Sequence, residues 1–204
     1  MKWQNCAALS REKAMLEHFR RQTDFVRTCV AEVLTPGDSA LDATVGTGED
    51  TCFLAETVGA TGRVYGFDIQ KAALTMARDK LDERQWTGPV HWYHQGHETL
   101  GTVPEIVQDS RIRAAMFNLG YFPGGDPAVV TRWETTLTAL SAAAKVLAGG
   151  GILTICVYAH ASGRAEAEGV ARWVRALDYR FEAYRFSVEN HQGAPVAYVI
   201  RKKG

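Results

Sequence analysis

Apolar positions along this chain follow two periods in turn. Met15, Phe19, Phe25, Val26, Val30 and Val33 recur at helical spacing and predict a helix over residues 10–34, ended by Pro36-Gly37-Asp38. Short β-branched runs then alternate with helical stretches. Strands are predicted at 39–43, 63–68, 90–94, 112–118 and 152–158, and helices at 50–58, 71–81, 105–108, 131–147 and 166–177. Two closing strands, 179–188 and 196–201, flank a turn at Gln192-Gly193. This alternation predicts an α/β fold with a seven-stranded, mostly parallel sheet, helices on both faces and an antiparallel last strand.

The length, 204 residues, suits a single domain over 1–204, with 1–34 as an N-terminal helical extension. The apolar fraction of 46% and charged fraction of 23% are those of a globular protein, and no stretch has the apolar length of a membrane span. The first residues lack the apolar core of a secretory signal, so a cytoplasmic location is expected. Cys6, Cys29, Cys52 and Cys156 form no CxxC pair and read as reduced thiols. His91, His94 and His97 form a tempting metal triple. Strand parity puts His91 and His94 on opposite faces, so no metal is expected. Net charge is zero, which counts against a broad nucleic-acid footprint. Basic residues nevertheless gather at Lys2, Arg11, Lys13, Arg20, Arg21 and Arg27, and at Arg201, Lys202 and Lys203; a solvated helix face and a solubilising tail explain them better than phosphate contacts do.

The chemistry concentrates after the first strand. In Asp42-Ala-Thr-Val-Gly46-Thr-Gly48, the glycines allow a sharp turn and let a ligand approach the main chain. Asp68, 20 residues after Gly48 at the end of the second strand, is placed to accept both ribose hydroxyls of a nucleotide-like cofactor. A nicotinamide enzyme fits those features too. Thr51, however, stands where the third glycine of GxGxxG would support a pyrophosphate. Asp42 is suited to the cationic amino group of a methionyl moiety. The balance therefore moves to S-adenosylmethionine, with Asp42, Thr44, Gly46, Gly48, Asp50, Thr51, Asp68, Ile69 and Gln70 as candidate contacts. Gln95, Gly96 and His97 follow the third strand, where an adenine would lie, and Asn118 after the fourth completes the candidate cofactor contacts.

A second cluster, Asn118-Leu-Gly-Tyr-Phe-Pro-Gly-Gly-Asp126, follows the fourth strand directly, at the carboxyl edge of the sheet where ligands of open α/β folds bind. It resembles the Asn-Leu-Gly-Tyr-Leu-Pro-Gly-Gly-Asp signature of a bacterial class I methyltransferase family labelled rRNA methylases. Members of that family methylate the aminomethyl group of wobble 2-thiouridine in tRNA. Asp42-Ala-Thr-x-Gly-x-Gly-x-Asp-Thr51, Gly66-Phe-Asp-Ile-Gln70 and Val157-Tyr-x-His160 match the same family. Gly46-Thr-Gly48 departs from the commoner Gly-Asn-Gly, and Glu189-Asn-His-Gln-Gly-Ala-Pro195 matches an Asn/Gln-rich turn only loosely.

The resemblance implies a Rossmann-like class I fold and an S-adenosylmethionine-dependent N-methyltransferase. Its partner is the anticodon loop of tRNA, and it works as a monomer or homodimer, away from membranes. In-line transfer needs a neutral amine held behind the methyl carbon. Asn118 and the Leu119 carbonyl are candidate acceptors for its N–H groups, Tyr121 a stacking platform, and Asp126, Tyr158 and His160 candidate proton acceptors. The alternatives are an rRNA or small-molecule methyltransferase and, further off, an NAD-dependent oxidoreductase.

Overall fold

The computed structural model describes residues 22–126, 128–158, 163–191 and 193–204. The predicted helix over 10–34 is described only as α1 (Gln22–Ala31). The chain then runs β1 (Ser39–Asp42), α2 (Glu49–Val58), β2 (Arg63–Phe67), α3 (Lys71–Glu83), β3 (Val90–Tyr93), a 3-10 turn (His97–Thr102) and α4 (Pro104–Val107). β4 (Ile112–Leu119), α5 (Trp133–Val146), β5 (Ile152–Val157), α6 (Arg164–Arg175), β6 (Phe181–Ser187) and β7 (Val196–Lys202) complete it. The 3-10 turn has no periodic apolar signal to betray it; its tertiary partner is α5, onto which Leu100 is buried.

The seven strands form one sheet in the order β3-β2-β1-β4-β5-β7-β6. β1 to β5 pair in parallel, and β7 inserts antiparallel between β5 and β6. The predicted antiparallel last strand is present, and it is an interior strand. That placement explains its apolar run: Ala197, Val199 and Ile200 are buried on both faces while the edge strand β6 is half exposed.

Strand parity divides the core in two. Leu41, Ala115, Phe117, Leu153, Ile155 and Val157 point to one face, under α5, α6 and the 3-10 turn. Ala40, Ala114, Met116, Ile152 and Cys156 point to the other, under α1, α2 and Leu81 of α3. Side chains at i and i+2 share a face, so each strand feeds both cores alternately. A deeper polar tie holds the far end of the sheet. The Asp109 carboxylate accepts hydrogen bonds from the Ser39 hydroxyl (2.6 Å) and the Tyr65 hydroxyl (2.8 Å), joining the starts of β1, β2 and β4. The carboxyl ends of the same strands are thereby left to open into the site.

Candidate active site

The loop after β1 is built around two carboxylates. Asp42 is 1% exposed; it accepts the Thr51 hydroxyl at 2.5 Å and the Thr44 N–H at 3.2 Å. Thr51 therefore serves as the donor that ties α2 to the end of β1. Burial, with the charges of Asp50 and Asp68, pushes the Asp42 carboxyl up to about 7. Asp68 faces the other way, accepting the Gly46 N–H at 2.9 Å and the Gln70 N–H at 2.8 Å. One carboxylate thus pins the loop to the next strand end and keeps lone pairs free for hydroxyl donors in the cleft.

Gly46 and Gly48 both have positive φ, at 49° and 80°. Gly48 also packs tightly: a Cβ on it would lie 2.6 Å from Ala77 Cβ and 2.7 Å from Ala77 Cα. The absent side chain lets α2 start directly against α3.

Two clefts meet at this loop. The first, about 330 Å³, is lined by Thr44, Gly46, Asp68, Gln70, His97 and Asn118, among others; Ile69, Gly96 and Tyr121 also border it. The second, about 730 Å³, is bounded by Arg27, Asp50, Asn118, Pro123, Tyr158 and Pro195, with Gln22 and Thr23 of α1 at its side. Thr44, Gly46, Asn118, Gly120 and Tyr121 are common to both and form the wall between them.

Asn118 is fixed by a main-chain and a side-chain hydrogen bond. Its N–H donates to the Thr44 hydroxyl at 2.7 Å. Its Nδ2 donates to Asp50 Oδ2, and Arg27 Nε donates to Asp50 Oδ1 at 2.6 Å. Its Oδ1 is buried without a hydrogen-bond partner among the described residues. Burial raises the Asp50 carboxyl, and the adjoining Arg27 guanidinium opposes that shift.

The loop 118–132 is closed on itself. Tyr121 pairs antiparallel with Val130, Thr131 N–H donates to the Gly120 carbonyl at 2.9 Å, and Gly120 N–H donates to the Thr131 hydroxyl at 2.9 Å. The buried Glu166 carboxylate accepts from Thr131 and Thr136, each at 2.6 Å. His97 approaches the Ala43 carbonyl at 3.2 Å, and burial lowers its pKa, so the ring stays neutral at neutral pH. Neither Thr131 nor Glu166 was singled out by sequence, because their pairing spans 35 residues without a local motif.

The sequence candidates sort by place. Thr44, Gly46, Asp68, Ile69, Gln70, Gly96, His97, Asn118 and Tyr121 gather around the first cleft, and Asp50 and Tyr158 around the second. Asp42, Gly48 and Thr51 lie behind the loop, and Gln95 lines neither cleft. Asp126 Oδ1 accepts the Ala128 N–H at 2.9 Å, while its own N–H donates to Gln70 Oε1 at 3.0 Å. The carboxylate closes its own turn outside both clefts. His160 lies outside the described residues. His94 Nε2 lies 3.1 Å from the Ile69 carbonyl, and no cluster with metal-ligand geometry occurs among the described residues.

The family model described as "Putative rRNA methylase" matches residues 64–202, more than half of the chain. The chain belongs to that family. One relative is the "tRNA (mnm(5)s(2)U34)-methyltransferase, chloroplastic" of Arabidopsis thaliana, 32% identical over 90% of this chain and 70% of its own length. A Clostridium thermocellum structure described as a "putative rRNA-methylase" superposes with a TM-score of 0.84 at 35% identity, covering 90% of this chain and 98% of the other. A Streptococcus mutans structure described as a "putative methyltransferase", in complex with S-adenosylhomocysteine (SAH), superposes at 0.80 and 33% identity, covering 90% and 99%. In this rRNA-methylase-family chain, Gly46, Asp68 and the start of the nonamer at Asn118 gather around the first cleft.

Proposed function

We propose that this methyltransferase carries the methyl group of S-adenosylmethionine to the primary amine of 5-aminomethyl-2-thiouridine at the tRNA wobble position. The chain is an S-adenosylmethionine-dependent methyltransferase. The first cleft fits that cofactor: Asp68 offers carboxylate lone pairs to ribose hydroxyls, Gly46 presents bare main chain, and Ile69, Gly96 and neutral His97 offer an apolar to weakly polar seat for a base. When bound, the cofactor supplies a methyl group on a sulfonium, electrophilic without further activation.

The observation that carries the reading is the unpartnered, buried Asn118 Oδ1 in the wall between the clefts. A buried acceptor with no donor calls for one from a ligand. An amine N–H fits it, and accepting that N–H turns the nitrogen lone pair away from Asn118. An alkylamine has a pKa near 10, so the site must favour its neutral form. The Asn118 carbonyl accepts from the protonated amine at least as well as from the neutral one, so it orients the nitrogen, and the ammonium proton must leave before the lone pair can attack. Tyr121, half exposed at the same wall, offers a ring face to a flipped-out base. The Arabidopsis relative supports tRNA as the acceptor.

Incubating the protein with labelled cofactor and with tRNA carrying either unmodified or aminomethylated wobble uridine tests this. Label in 5-methylaminomethyl nucleoside from the aminomethylated tRNA alone is expected; no label there refutes the proposal. The family description favours rRNA as a second reading, and label entering rRNA but not tRNA would select it.

A further inference from the structure

We infer that Asp50, held by Arg27 from α1, is the positioning residue that fixes which way the Asn118 amide faces. This rests on the reading of Asn118 as the amine acceptor. It assigns a role to α1, which precedes the part of the chain matched by the family model.

An amide presents a donor end and an acceptor end of nearly equal shape, and either can point at a reacting group. In this site the choice is made by charge. An ionised carboxylate only accepts, so the end of Asn118 that meets Asp50 Oδ2 must be Nδ2. The opposite end, Oδ1, is then committed to the remaining direction, where no described residue meets it. A reversed amide would set two acceptors together at Asp50 and offer N–H groups to an amine lone pair, blocking attack.

Asp50 is itself held in place. Its side chain is 5% exposed, and such a carboxylate stays charged only with a close cation. Arg27 Nε occupies Oδ1 at 2.6 Å and leaves Oδ2 to Asn118. α1 is tied in turn to the opposite rim, where Gln22 Nε2 donates to the Pro195 carbonyl at 3.2 Å. The series Arg27, Asp50, Asn118 thus runs from a helix surface to the wall between the clefts, with each group satisfied except the terminal acceptor.

Asp50→Asn keeps the shape and removes the selection, because a neutral amide at this position can offer either end to Asn118. With aminomethylated tRNA, kcat is expected to fall on the order of 100-fold, as for misaligned reactants, with KM for tRNA and SAH affinity unchanged. Arg27→Met is expected to follow it and Arg27→Lys to recover most of the turnover. A second readout needs no substrate: the side-chain amide resonances of Asn118 in the SAH complex, observed by 15N NMR. They are expected to move in Asp50→Asn and hold their wild-type positions in Arg27→Lys. Wild-type turnover in Asp50→Asn, or parallel losses of SAH affinity and kcat, would overturn the inference. If the wild-type protein leaves that tRNA unmethylated, the functional reading fails. The inference is then decided by the NMR alone, where unmoved Asn118 resonances in Asp50→Asn overturn it.

Discussion

Replacing Gly48 by alanine asks the structure for a number. The residue has φ 80° and ψ 4°, a left-handed conformation that costs a residue with a Cβ about 1–2 kcal/mol. The new Cβ would meet Ala77 Cβ at 2.6 Å and Ala77 Cα at 2.7 Å. The second contact is with main chain, so α2 and α3 must separate, at an overpacking cost of about 1–3 kcal/mol. The sum, about 2–5 kcal/mol, converts to a fall in Tm of roughly 4–20 °C for a chain of this size, at about 2–4 °C per kcal/mol. Gly46→Ala is the matched control: φ is 49°, and the nearest atoms to its Cβ are at 3.8 and 4.0 Å. Only the conformational cost of about 1–2 kcal/mol applies there. Its methyl group, however, enters the wall shared by both clefts, so SAH binding should weaken. Thermal unfolding of both variants, with SAH calorimetry, separates the effects. A Gly48→Ala protein no less stable than Gly46→Ala would refute the packing role given to Gly48.

Other expectations follow from the same geometry. Asp68→Ala is expected to weaken SAH binding strongly and Asn118→Ala to lower turnover mainly; equal loss of cofactor affinity in both contradicts the division of roles. The raised Asp42 carboxyl means that the folded state holds a proton the unfolded chain releases. Its contribution to stability is whole below about pH 4 and is lost as pH rises through about 7. Unfolding free energy measured in denaturant should therefore fall less steeply over that window in Asp42→Asn than in the wild type; equal slopes would argue against it. Thr131→Val strands the Gly120 N–H and a Glu166 oxygen and should cost about 1–3 kcal/mol in a denaturant titration, while Thr131→Ser should cost far less.

Much of the fold was legible in the sequence because the strands are short, apolar and separated by strong helical periods. Boundaries shifted by a residue or two, as at α2, which begins at Glu49, and α5, which begins at Trp133. The 3-10 turn over His97–Thr102 was missed because its only support is tertiary. The place of Asp68, Gly46 and Asn118 beside the first cleft was legible because each lies at or just after the carboxyl end of a strand whose position the topology fixes. The link from Arg27 to Asp50 was not, since an arginine on a helix face looks alike whether it meets water or a carboxylate 23 residues away. Thr51 was noticed for the glycine it replaces, whereas its donor role to Asp42 appears only once the loop is folded.

The wall of Thr44, Gly46, Asn118, Gly120 and Tyr121 has a kinetic consequence. Asp68, Gln70 and His97 belong to one side of it alone, and Arg27, Tyr158 and Pro195 to the other. Neither ligand needs the other's surface to bind, so the two should load in either order and the products leave independently. SAH should then compete with the cofactor while acting as a mixed inhibitor toward the RNA. Strict competition against both would mean that the partition is breached when the site fills.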